Sequence, residues 1–135
     1  IELAGGENVA KDVQGQWVNM TMEQILEWDP DIIILSNFSN ITPNDIKTNK
    51  FEGHNWSNVA AVKNNQVYKA PVGIYRWDAP SAETPLMIKW MAQKIQPTIF
   101  NDYNINTEIK NFYHDFLNYN LNDEELANIL QLNLN

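Results

Sequence analysis

Six consecutive residues, Gly73-Ile74-Tyr75-Arg76-Trp77-Asp78, concentrate more chemistry than any other stretch of this 135-residue chain. Tyrosine and tryptophan offer broad, rigid faces, and the guanidinium between them can fork onto a carboxylate or another pair of anionic oxygens. Side chains of these types dominate recognition energetics where they stand at a surface. The combination suits capture of an anionic complex better than it suits bond making. A second reading of the same residues stays open, in which Trp77 packs under the helix that follows and Arg76 pairs with Asp78 or Glu83. Ser36, Asn37 and Phe38 form a further group of binding candidates, with an ordinary connecting loop as the alternative.

Catalytic patterns are sparse. Gly5-Gly6 lacks the spaced glycines and following helix of a phosphate-binding loop, and no G-x-S-x-G elbow occurs. His54 and His114 stand alone, with no partner at metal-ligand spacing, so His54 reads as a capping or surface residue and His114 as a solvated one. The carboxylates are numerous but scattered, and no pair can be set at glycosidase distance from the sequence. The residues therefore favour binding over catalysis, with no metal ligands and no resident cofactor.

The formal charge of −8 and isoelectric point near 4.5 argue against a nucleic-acid binder, which would carry a basic footprint. The chain has no cysteine, which excludes thiolate metal sites, thiol nucleophiles and disulfides within it. No apolar run approaches the roughly 20 residues of a membrane span. The opening, Ile1-Glu2-Leu3-Ala4-Gly5-Gly6, has neither an initiator methionine nor a signal segment, so the sequence reads as a piece of something longer.

The elements that must hold these residues can be placed by caps and periodicity. Gly5-Gly6 predicts a tight turn. Thr21 and Gln24 fit a capping box opening a helix over 21–28, which Asp29-Pro30 stops. Residues 31–36, DIIILS, form an apolar run expected as a parallel strand buried on both faces. Thr42-Pro43 opens a short polar helix over 42–50, expected at the surface. A further helix is predicted over 55–62, a turn at Asn64-Asn65 and a strand over 66–70. The longest helix runs from about Ser81, its expected N-cap, to Gln96, with Leu86, Ile88, Trp90, Met91 and Ile95 making it largely buried. Two more helices follow, over 107–119 and from an Asn122-Asp123 cap to 132.

This order predicts an α/β fold: a small, mostly parallel sheet flanked by helices in three layers, with a helical C-terminal extension. Ligands in such sheets bind outside the carboxyl ends of the strands. Both candidate loops, 36–41 and 72–78, follow strands there, so topology places them on one rim.

Three stretches carry a family resemblance. AGGENVAKDVQGQWVNMTMEQILEWDPDIIIL and WSNVAAVKNNQVYKAPVGIYRWDAPSAETPLMIKWMAQKIQP resemble, in order and at matching spacing, stretches of periplasmic-binding-protein-like lobes, and FNDYNINTEIKNFYHDFLNYNLNDEELANIL resembles a C-terminal extension of one branch that includes iron-complex binders. These are substrate-binding proteins of ABC importers for siderophores, heme, cobalamin and related metal complexes. The resemblance implies that residues 1–135 are one C-terminal lobe, with an α/β core over 1–100 and a helical extension over 101–135. It implies an extracytoplasmic protein, periplasmic or a surface lipoprotein, that holds ligand between this lobe and a missing N-terminal lobe and delivers it to a membrane permease. Tyr75, Arg76 and Trp77 fall where the family lines its cleft, with Asn37 and Phe38 as further contacts. Asp78 or Glu83 falls where an acidic residue meets the permease. The ligand expected is a ferric siderophore or related iron complex, or else an oxyanion such as molybdate or tungstate. No Met or Cys neighbours the loop, which argues against soft axial ligation of heme from this lobe. From other classes, an α/β hydrolase domain or an interaction domain presenting an apolar face of its tail helices would be the rivals.

Overall fold

The computed structural model describes residues 1–15 and 17–134. They divide into two compact units, one of residues 8–69 with Leu134, the other of residues 1–7 and 70–133.

In the unit of residues 8–69, β1 (Ile33–Leu35) and β2 (Val67–Lys69) pair in parallel, with Ile33 opposite Val67 and Leu35 opposite Lys69. Parallel neighbours need a crossover, and here α2 (Pro43–Lys47) and α3 (Ala60–Lys63) supply it. α1 (Met22–Trp28) precedes β1. Its capping box forms as the sequence dictates: Thr21 Oγ1 accepts from the Gln24 amide, and Gln24 Oε1 accepts from the Thr21 amide. Asp29 ends α1 in the left-handed region, and its carboxylate accepts from the Ala60 amide at 2.7 Å, joining the end of α1 to the start of α3. Ile46, Val59, Ala61 and Val67 form the core, with Ile25, Ile33, Leu35 and Trp56 packed against it.

Three expectations change here. The strands are three residues each, and β1 is half-buried rather than sealed on both faces. α2 is not a surface helix, because Pro43, Asp45 and Ile46 are buried; Asp45 bonds reciprocally with Thr42 in the helix cap. The helix expected over 55–62 contracts to α3, since Asn49 draws the Trp56 amide and the Ser57 hydroxyl into a turn before it.

The other unit is helical. α4 (Thr84–Ile95) buries Leu86, Met87, Trp90, Met91 and Ala92. A short 3-10 turn, Glu2–Ala4, packs on it and ends at Gly5, whose carbonyl accepts from Gln96 Nε2 at 3.0 Å. α5 (Ile105–Leu117) packs against α4 through Ile105, Ile109 and Tyr113, and α6 (Asp123–Ile129) packs against α5. Asn122 and Glu125 form a third capping box. α4 begins at Thr84 rather than Ser81. Ser81 and Thr84 instead lock a turn, the Ser81 amide donating to Thr84 Oγ1 and the Glu83 amide to Ser81 Oγ, which delays the helix and turns Glu83 inward. Parallel strands with flanking helices place the chain in the α/β class, as an open-sheeted lobe.

Candidate functional site

Residues 72–78 fold as a tight reversal. Val72 and Arg76 form an antiparallel bridge, the Gly73 amide donates to the Tyr75 carbonyl at 3.0 Å, and the Trp77 amide donates to the Pro71 carbonyl at 3.0 Å. The Val72 amide donates to the Ile129 carbonyl at 2.9 Å, pinning the base of the reversal to the end of α6. Its tip projects: Ile74 is 61% and Tyr75 52% exposed. The Arg76 guanidinium carbon lies 5.5 Å from the centre of the Tyr75 ring, and its Nε is 3.7 Å from Asp78 Oδ1. The arginine side chain, 20% exposed, thus lies between an aromatic face and a carboxylate, a setting that orients its fork.

Glu83 stiffens this reversal from inside. It is 1% exposed, and its two oxygens are used separately: Oε2 accepts from the Tyr75 amide at 3.1 Å, and Oε1 accepts from the Tyr113 hydroxyl at 2.6 Å. Burial, and then the bond to Glu83, push the Tyr113 hydroxyl far above the ordinary tyrosine range, so it remains a donor. Gly73 makes the arrangement possible, since a Cβ there would sit 1.9 Å from Glu83 Oε1 and 2.3 Å from the Tyr113 oxygen.

The structure sorts the expected residues of this loop by depth. Tyr75 and Arg76 are presented together at the surface. Trp77 is 2% exposed, so its ring roots the reversal in the core instead of facing a ligand, which corrects its expected role. Glu83 is corrected likewise: a carboxylate committed to Tyr75 and Tyr113 inside the protein has no surface to offer a permease. Asp78 keeps partial exposure beside Arg76.

A second surface lies in the unit of residues 8–69. Phe38 is 59% exposed, and Trp17, 73% exposed, meets it edge to face with ring centres 4.9 Å apart. Trp17, Ser36, Phe38 and Ser39 line a shallow depression. Ser36 Oγ accepts from the Phe38 amide at 3.1 Å, and Asn37 is half-buried beside it. Sequence reasoning missed Trp17. A single large aromatic in the polar stretch 14–20, outside any helical or alternating period, was the available signal.

The histidines make local bonds: His54 Nδ1 is 3.1 Å from the Glu52 carbonyl, and His114 Nδ1 is 2.7 Å from Asp115. Among the described residues no three His, Cys, Asp or Glu side chains stand close enough to hold a metal ion.

A family model described as "Periplasmic binding protein" matches residues 1–72. A periplasmic solute binding protein from Veillonella parvula DSM 2008 superposes with a TM-score of 0.92 at 59% identity, covering 97% of this chain and 40% of that one. The high-affinity heme uptake system protein IsdE of Staphylococcus aureus (strain Newman) is 35% identical over 94 residues, 64% of this chain and 32% of its own length. The molybdate-binding protein MolA of Haemophilus influenzae is 25% identical over 118 residues, 86% of this chain and 32% of its own. The chain spans about a third of the length of the curated relatives it matches.

Proposed function

The chain belongs to the periplasmic binding protein family, a family of solute-binding proteins rather than enzymes, and on that premise we propose that it is the C-terminal lobe of the substrate-binding component of an ABC importer for an iron complex. Membership sets aside the hydrolase reading. The protein works outside the cytoplasm, held in the periplasm or by a lipid anchor. It takes ligand between this lobe and an N-terminal one and hands it to the permease, with Asp78 as the acidic contact that remains accessible on this lobe.

The observation that carries the reading is the Tyr75–Arg76 pair. An exposed aromatic face beside a half-buried, oriented guanidinium suits a ligand with both conjugated or apolar bulk and anionic oxygens, as a ferric siderophore or heme has. Within the unit of residues 8–69, Phe38 and Trp17 offer a separate aromatic surface, with Asn37 beside it. A small tetrahedral oxyanion is the second reading, favoured by likeness to a molybdate-binding protein. Such a ligand would use the guanidinium and leave the aromatic faces idle.

The test is to titrate the full-length protein with ferric catecholate and hydroxamate siderophores, heme, cyanocobalamin and molybdate, following tryptophan fluorescence and calorimetry. Tyr75→Ala and Arg76→Ala should each weaken an iron-complex ligand by about 1–3 kcal/mol. A ligand bound equally well by both variants would remove the site. Loss on Arg76→Ala alone, with molybdate as the ligand, would favour the second reading.

A further inference from the structure

Lys69 is the one charged side chain of β2, and it points inward: the residue is 6% exposed. A lysine is almost never buried so deeply without compensation, because removing an ammonium from water costs several kcal/mol by typical estimates. Here the compensation is a set of main-chain acceptors. Nζ donates to the carbonyls of Ser36 at 2.8 Å, Ser39 at 2.6 Å and Ile41 at 2.9 Å. Three carbonyls match the three N–H donors of an ammonium. All three belong to the loop that leaves β1, and together they bracket Phe38 from both sides. Within the loop itself, Ser36 Oγ accepts from the Phe38 amide at 3.1 Å.

We propose that Lys69 is a positioning residue for ligand capture: its buried ammonium clamps residues 36–41 so that Phe38 is held, exposed, against Trp17 as a preformed aromatic surface. The inference rests on the functional reading above for the word ligand, but the clamp itself is a property of this unit. Preorganisation matters because a loop that must be ordered at the moment of binding subtracts its ordering entropy from affinity. A clamp built of backbone carbonyls fixes the chain path whatever side chains the loop carries. It therefore constrains the main chain and not the identity of the side chains at 37 and 38.

The experiment separates clamp from core packing. In full-length protein labelled with 5-fluorotryptophan, the Trp17 fluorine resonance is assigned through Trp17→Phe and compared between wild type and Lys69→Met, which keeps the apolar stem and removes the donors. The expected result is a shifted or broadened Trp17 resonance with the other indole signals in place. Affinity for the probe bound by wild type, tested with heme and with molybdate, should fall by about 10-fold, the loss of one net charged hydrogen bond. A merely structural lysine would lower the melting temperature while leaving both the Trp17 signal and the affinity of the folded protein unchanged, and that outcome overturns the proposal. Should Lys69→Met fail to fold, Lys69→Gln, with a shorter stem and two donors, carries the same comparison under the same criteria. If wild type took up neither probe, the functional reading for those ligands would fall, and the fluorine spectrum would still uphold or overturn the clamp.

Discussion

Gly73 has no room for a side chain, because the space a Cβ needs is already occupied by Glu83 Oε1 and the Tyr113 hydroxyl. Gly73→Ala must therefore push the carboxylate off one of its donors, and we expect a loss of roughly 1–3 kcal/mol in urea unfolding, from overpacking and a bond left unmade. Tyr113→Phe probes the same contact from the other side. It keeps the ring and deletes the donor to a carboxylate that is 1% exposed, so a similar cost of about 1–3 kcal/mol is expected, and Tyr75 should gain mobility in backbone relaxation measurements. Asp45 gives a pH signature. A hydrogen bond from the Lys50 ammonium at 2.7 Å, then one from the Thr42 amide, hold its carboxyl down at about 2 against an ordinary 3.8. A folded value below the unfolded one means that the carboxylate stabilises the fold above pH 3.8 and that this contribution is lost as pH falls toward about 2. The stability difference between wild type and Asp45→Asn should narrow across that window, measured by thermal unfolding at stepped pH. A constant difference would mean that the Lys50 pair contributes nothing.

Three helix starts rest on local caps that were legible, whereas α5, expected from 107, begins at Ile105 on the equally local cap Asn104. Thr21, Thr42 and Asn122 each bond to the residue three further on, and each helix begins where that pattern predicts. Thr21→Ala should accordingly cost about 0.5–2 kcal/mol in chemical unfolding, concentrated in α1, whose amides should lose hydrogen-exchange protection first. Where the start depended on a neighbour, reading from sequence erred. Ser81 has the chemistry of an N-cap, but its hydroxyl is used by Glu83 and its amide by Thr84, so the N-cap falls at Glu83 and α4 begins two residues later. The same displacement explains the misplacement of Glu83. A carboxylate at the outer turn of a helix would have been exposed, whereas one at the cap position, drawn inward, meets Tyr113 of α5 and holds the 72–78 reversal. α5 thus supports the candidate site through Tyr113.

For the whole molecule, the chain's share of its relatives sets the expectation. It spans 32% of the heme- and molybdate-binding proteins it resembles, so the proposed cleft has a second wall outside these residues. Residues 1–135 expressed alone should bind the full-length protein's ligand at least roughly 100-fold more weakly, about 2.8 kcal/mol, by calorimetry. Equal affinity would place the whole site on this segment and refute the two-lobe reading. The sequence by itself determined the fold class, the caps at Thr21, Thr42 and Asn122, and the family, because each rests on local bonding or on ordered spacing along the chain. It also singled out residues 73–78. Only the tertiary structure decided which of those side chains face out. Tyr75 stays exposed while Trp77 and Glu83 turn inward, since burial depends on partners far along the chain: Tyr113 lies 30 residues from Glu83, and Ser36 lies 33 from Lys69. No periodicity announces such pairs. A buried charge is tolerable only where distant donors or acceptors converge on it, and that convergence exists only once the chain has folded.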